Sequence, residues 1–147
     1  MDDLYPMLIS LALATLMGWE REVKNKPAGL RTHVLVCLGS TMFVRMAPYA
    51  VGSFANATID PTRVIHGVIT GIGFLGAGAI LRRDGGVQGL TTAASVWMVA
   101  AVGVASGLEA YSLATTGAVM ALIVLRFGGW VEAWMQRENH GSGTPKS

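Results

Sequence analysis

Charged residues are so sparse in this chain, and so placed, that they cut it into five long apolar stretches. Residues 4–19 give sixteen positions without an ionised side chain, and 32–44 give thirteen more before Arg45 interrupts a run that continues to about Gly52. Residues 64–81 give eighteen, 85–108 give twenty-four, and 110–125 give sixteen. A helix needs about 20 apolar residues to cross a bilayer. Only 14% of the residues are charged, against about 25% in a typical soluble domain. The spacing predicts an all-α, polytopic membrane protein with five transmembrane helices. Their expected spans are 4–20, 33–51, 64–82, 91–107 and 111–129. Trp19 and Trp130 stand at span ends, where indole suits the interface. The five-span membrane domain is expected over 1–131, with 132–147 as a short polar cytoplasmic tail without order. The start Met-Asp-Asp is acidic and unlike a cleaved leader.

The charges also set an orientation. Nine basic residues fall on one side of the predicted spans: Arg21, Lys24, Lys26, Arg31, Arg82, Arg83, Arg126, Arg137 and Lys146. The other side holds Arg63 with the acids Asp2, Asp3, Asp60 and Glu109. Cytoplasmic loops collect Lys and Arg, so the N-terminus is expected outside and the C-terminus in the cytoplasm. Arg45 lies inside a span, toward the outer end, where it can snorkel or pair with Asp2, Asp3 or Glu109. His66, near the same end, is a weak proton-relay candidate. The formal net charge of +2 is too even for a nucleic-acid binder. The single Cys37 forms no internal disulfide, and no Cys/His spacing suits zinc. No metal site, cofactor or nucleophile–base pair is visible, so catalysis is not expected.

Three patterns carry candidate function. Gly71-Ile-Gly-Phe-Leu-Gly-Ala-Gly78 lies within an apolar span, so it reads as helix packing rather than phosphate binding. At 100° per residue Gly67, Gly71 and Gly78 fall within about 40° of one another, and Gly73 and Gly76 fall near the opposite side. The third span is therefore expected to be the central helix, gripped from both sides. Glu20 and Arg21 end the first span, and Arg31 and Thr32 open the second. A short loop would gather all four at the cytoplasmic mouth, with Arg31 forking a carboxylate. Arg82 precedes the turn Asp84-Gly85-Gly86, and Thr91 or Thr92 is a plausible N-cap for the fourth span. An uncovered helix N-terminus there, with Arg82 and Arg83 nearby, favours anions. The functional polar cluster is thus Glu20, Arg21, Arg31, Thr32, Arg82, Thr91 and Thr92.

Glu20-Arg21-Glu22, Ala28-Gly-Leu-Arg-Thr-His33, the glycine run 71–78 and Gly89-Leu-Thr-Thr-Ala-Ala94 stand in order at spacings similar to those of the MgtC/SapB family of bacterial inner-membrane proteins. The resemblance covers about residues 5–125. It implies a bacterial inner-membrane location and a link to survival in low magnesium and inside host cells. It also implies action on other inner-membrane proteins, the proton-driven ATP synthase among them. Many members carry a soluble C-terminal domain, and a short tail stands in that place here. The partners expected are the lipid bilayer, other membrane proteins and a second copy of the chain. Two readings stay open. One is a regulator acting through helix contacts. The other is a transporter or channel for magnesium or another small solute. Magnesium favours oxygen ligands, and no Asp or Glu lies in the interior of a span.

Overall fold

The computed structural model describes residues 3–53, 60–83 and 86–141. Five helices follow one another: α1 (Leu4–Val23), α2 (Leu30–Ser53), α3 (Pro61–Ala79), α4 (Leu90–Gly107) and α5 (Tyr111–Gly141). Between α3 and α4 a small hairpin pairs β1 (Leu81–Arg83) with β2 (Gly86–Gln88), antiparallel, with Arg82 opposite Val87. The fold is otherwise all-helical. Among the described residues two stretches suffice, by length and composition, to cross a membrane, Leu90–Gly107 and Tyr111–Gly129.

The helix bounds have local causes. α2 starts at Leu30 rather than at 33 because the Leu30 N–H donates to Glu22 Oε2 at 2.9 Å. That carboxylate reaches back across the α1–α2 loop as a cap. α3 starts at Pro61, where proline costs no hydrogen bond. Asp60 caps it, accepting from the Thr62 N–H at 2.9 Å and the Thr62 hydroxyl at 2.7 Å. Those two bonds hold the Asp60 carboxyl below its ordinary pKa. α3 ends at Ala79, short of the expected 82, because Leu81 already belongs to β1. α5 passes Gly128 and Gly129 and continues to Gly141. The backbone is therefore helical well into the segment expected to be an irregular tail, where Glu132, Ala133, Met135 and Gln136 are good helix formers. Residues 142–147 of that tail, and Asp84-Gly85 of the expected turn, lie outside the described residues.

The helices alternate up and down. α2 and α4 share the most extensive interface, α1 lies across both, and α5 packs on α1 and α4. α3 leans on α4 and touches α2 only lightly. The gripped central helix is thus α4, not the third span. Its close approach to α2 is set by Gly103 and Gly107. A Cβ at Gly103 would lie 2.9 Å from Ser40 Cβ and 3.0 Å from the Cys37 carbonyl carbon. At Gly107 it would lie 2.8 Å from Val44 Cβ. Gly18 does the same for α1 on α2, 2.8 Å from Leu30 Cα. By contrast Gly67, Gly71, Gly73 and Gly78 face open space, and Gly76 has only Ala93 Cβ at 3.8 Å. Among the described residues the expected glycine packing of the third span is absent. Its neighbour α4 turns two glycines, Gly103 and Gly107, toward α2 instead.

Polarity runs opposite to that of a protein in water. Large apolar side chains cover the outside: Phe74 is 82% exposed and Leu35 69%, and Leu4, Leu8, Leu16, Leu113, Met120 and Phe127 also face outward. The interior holds Ser10, His33, Ser40, Thr41, Thr92, Ser95 and Ser106 beside small apolar residues. An apolar perimeter of this extent is untenable in water and natural in lipid. The hydroxyls of Ser10, Ser40, Thr41, Ser95 and Ser106 each donate to a carbonyl, as lipid demands. Ser40 donates to Val36 O at 2.8 Å and Ser106 to Val102 O at 2.9 Å, while Thr41 lies 3.0 Å from Cys37 O and 2.9 Å from Gly103 O.

At one end of the bundle Arg45 closes a clasp. Its Nε meets Asp3 Oδ1 at 2.6 Å, its Nη1 meets Glu109 Oε1 at 2.5 Å, and Tyr49 donates to the other Asp3 oxygen. Of the expected partners, Asp3 and Glu109 take part, and Asp2 lies outside the described residues. The Tyr49 hydroxyl first and Arg45 second lower the Asp3 pKa below its ordinary 3.8. A lowered carboxyl contributes stability above its unfolded pKa and loses it as pH falls through the folded value. Asp3→Asn is therefore expected to reduce the Tm of the detergent-solubilised protein at neutral pH. The difference from wild type should vanish as pH drops below 3.8; a gap that persists in acid would count against the clasp.

Candidate functional site

At the opposite end the close of α1, the start of α2 and the start of α4 meet. Their helix phases turn Arg21, His33, Thr92 and Ser95 toward one another. Arg21 is only 3% exposed, and its Nη2 donates to Thr92 Oγ1 at 3.1 Å. His33 is fully buried, with Nδ1 2.9 Å from Gly29 O and Nε2 3.3 Å from Ser95 Oγ. A carbonyl can only accept, so Nδ1 carries the proton in the neutral ring and Nε2 accepts. Ser95 Oγ also lies 2.8 Å from Thr92 O, so its single proton is shared between that carbonyl and the imidazole.

Glu20 is 9% exposed and pairs with Lys24, Nζ to Oε1 at 2.5 Å. The contact is ionic, since neither Glu20 oxygen has hydrogen-bond alignment with a donor. Lys24 Nζ also donates to Leu125 O at 2.9 Å, tying the α1 terminus to α5. Beside this junction opens a cleft of about 860 Å³. Arg21, Lys24 and Lys26 line one side, Thr91 and Thr92 the floor at α4, and Arg126 with Val124 and Leu125 the α5 side.

The structure thus brings together Glu20, Arg21, Thr92 and, across the cleft, Thr91. It does not bring in Arg31, Thr32 or Arg82. Arg31 and Thr32 are exposed on α2, and Arg82 is exposed on the hairpin. Glu20 has Lys24 for its partner in place of Arg31. Neither Thr91 nor Thr92 is the N-cap. That position is Gly89, at φ +90, with no side-chain acceptor. Gly89 is required because the backbone passes against Ala79, whose carbonyl carbon would sit 3.0 Å from a Cβ there. Sequence reasoning missed His33 and Ser95 as junction residues, Glu22 as the α2 cap, and Gly103 with Gly107 as the packing pair. A signal for the last existed, since glycines four apart in an apolar helix mark a close-approach face. Among the described residues no three His, Cys, Asp or Glu side chains gather as a metal-binding group.

The family model described as MgtC family matches residues 7–134. The chain is 44% identical over 125 residues to the putative magnesium transporter YhiD of Escherichia coli strain K12, covering 80% of this chain and 58% of that protein. It is 38% identical over 133 residues to protein SapB of Bacillus subtilis, covering 85% and 57%. With protein MgtC of Brucella abortus it shares 41% over 112 residues, covering 76% and 45%. The chain therefore spans about half the length of these curated relatives. No solved structure matches it.

Proposed function

We propose a role that starts from one premise: the chain belongs to the MgtC family. It is a membrane protein. In our reading all five helices cross a bacterial inner membrane, with the N-terminus outside and the basic end of the bundle in the cytoplasm. The protein supports adaptation to magnesium limitation or intracellular stress, and does so by contact with other membrane proteins.

The observation that carries this reading is the condition of α3. It stands at the edge of the bundle, and a Cβ at Gly67, Gly71, Gly73 or Gly78 would meet nothing within 4 Å among the described residues. In lipid such faces admit a second helix at close range. The buried hydroxyls of α2 and α4 are meanwhile bonded to carbonyls of their own bundle. A second reading, passage of magnesium or another small solute, is favoured by the name of the Escherichia coli relative.

Two measurements separate them. A photo-cross-linker at Phe74, 82% exposed on α3, is expected to capture another membrane protein in native membranes under low magnesium. Gly71→Leu should abolish that capture while accumulating to wild-type levels, because the added side chain meets open space within the chain. Purified protein in vesicles is expected to take up no more magnesium than empty vesicles. Uptake that Glu20→Gln removes would move the assignment to the transporter.

A further inference from the structure

We propose that the cleft between the α1–α2 loop, the start of α4 and α5 is a binding site for a phosphate-bearing anion. The source of that phosphate is either an acidic phospholipid headgroup or a soluble phosphate compound. Four cations from three parts of the chain line the cleft, namely Arg21, Lys24, Lys26 and Arg126, and among the described residues no carboxylate does. One of the four, Lys24, is already offset by Glu20, which leaves the remainder in excess.

The floor of the cleft is the N-terminus of an eighteen-residue helix. Its first intrahelical bond from within α4 is Ala93 N–H to Gly89 O, so the N–H groups of the preceding turn have no helical acceptor. Gly89 supplies no side-chain cap, and the Thr92 hydroxyl is taken by Arg21. These donors carry the positive end of the helix dipole.

A second observation stands apart from the helix end. Arg21 is 3% exposed, and its Nε has no hydrogen-bond partner. Basic residues that merely hold a loop on the cytoplasmic side sit in water, where their donors are satisfied. Burying a guanidinium with a donor unused costs free energy, and because Arg21 lines the cleft an anion held there offsets its charge. The planar fork of arginine matches two phosphate oxygens. Lys26 and Arg126, both exposed, supply charge at the rim. Val124, 67% exposed, continues the α5 wall into the apolar perimeter, beside which an acyl chain can lie.

The test uses the full chain in nanodiscs. In one arm the Tm is compared between phosphatidylglycerol and phosphatidylcholine discs. In the other, inorganic phosphate is titrated against chloride at matched ionic strength in phosphatidylcholine discs. A wild-type Tm rise in the first arm identifies a lipid headgroup, and a rise in the second a soluble phosphate; either supports the site. The double variant Lys26→Gln with Arg126→Gln should keep the Tm measured in phosphatidylcholine and chloride. It should bind the effective probe roughly tenfold more weakly, as expected on losing charge-assisted contacts. Arg82→Gln, a cation outside the cleft, should respond as wild type. The proposal is overturned if neither probe shifts the wild type, if the double variant responds fully, or if Arg82→Gln loses as much.

Discussion

Gly103→Leu is expected to remove the folded protein from the membrane. The new Cβ would meet Ser40 Cβ at 2.9 Å and the Cys37 backbone at 3.0 Å, and backbone does not yield as a flexible side chain does. The substitution must push α2 from α4 along the bundle's most extensive interface. It would also part the Thr41 hydroxyl from Gly103 O, removing a hydrogen bond that joins α2 to α4. Overpacking of this kind costs about 3 kcal/mol, a large fraction of a typical stability. Thermal unfolding in detergent and the amount retained in membranes both read it. Gly103→Ala should be intermediate, and Gly67→Leu, which meets open space, should be neutral. Wild-type accumulation of Gly103→Leu would show that α2 and α4 are not held as described.

Gly89→Val should be the next most damaging change. A β-branched residue at φ +90 is strained wherever it occurs, and here its Cβ also faces the Ala79 carbonyl carbon at 3.0 Å. The β1–β2 hairpin and the first turn of α4 should both shift, separating Thr92 from Arg21. Expected outcomes are a lower Tm and faster amide exchange over 81–95, with the far end of α4 unchanged. Uniform exchange along α4 would instead mean that the hairpin does not fix the helix start.

The five helices were legible because charges at Glu20, Arg31, Arg63, Arg82 and Glu109 punctuate apolar text, and lipid leaves few options for such stretches. Packing was less legible. A glycine-rich helix announces that a face is smooth, but not which neighbour uses it. The dense run in α3 outweighed the sparser Gly103 and Gly107, and the latter pair holds the bundle. At the basic end, Arg21 and Thr92 meet as their placement suggested. Arg31 does not join them because helix phase separates it from the inward His33 by about 200°. The start of α2 fixes that phase, and it depends on a carboxylate eight residues upstream, Glu22, whose reach no local pattern reveals. The hairpin was hidden for a related reason: three-residue strands leave no periodicity to read.

The outward Leu and Phe side chains, set against an interior of hydroxyls and glycine, have a thermodynamic consequence. When these helices part within a bilayer, their apolar surfaces pass to hydrocarbon, and little apolar hydration changes. The heat-capacity increment that bends the stability curves of water-soluble domains is therefore small for this bundle. Its cohesion comes from contact distance and bonded carbonyls, so it should vary gently with temperature and show no fall on cooling.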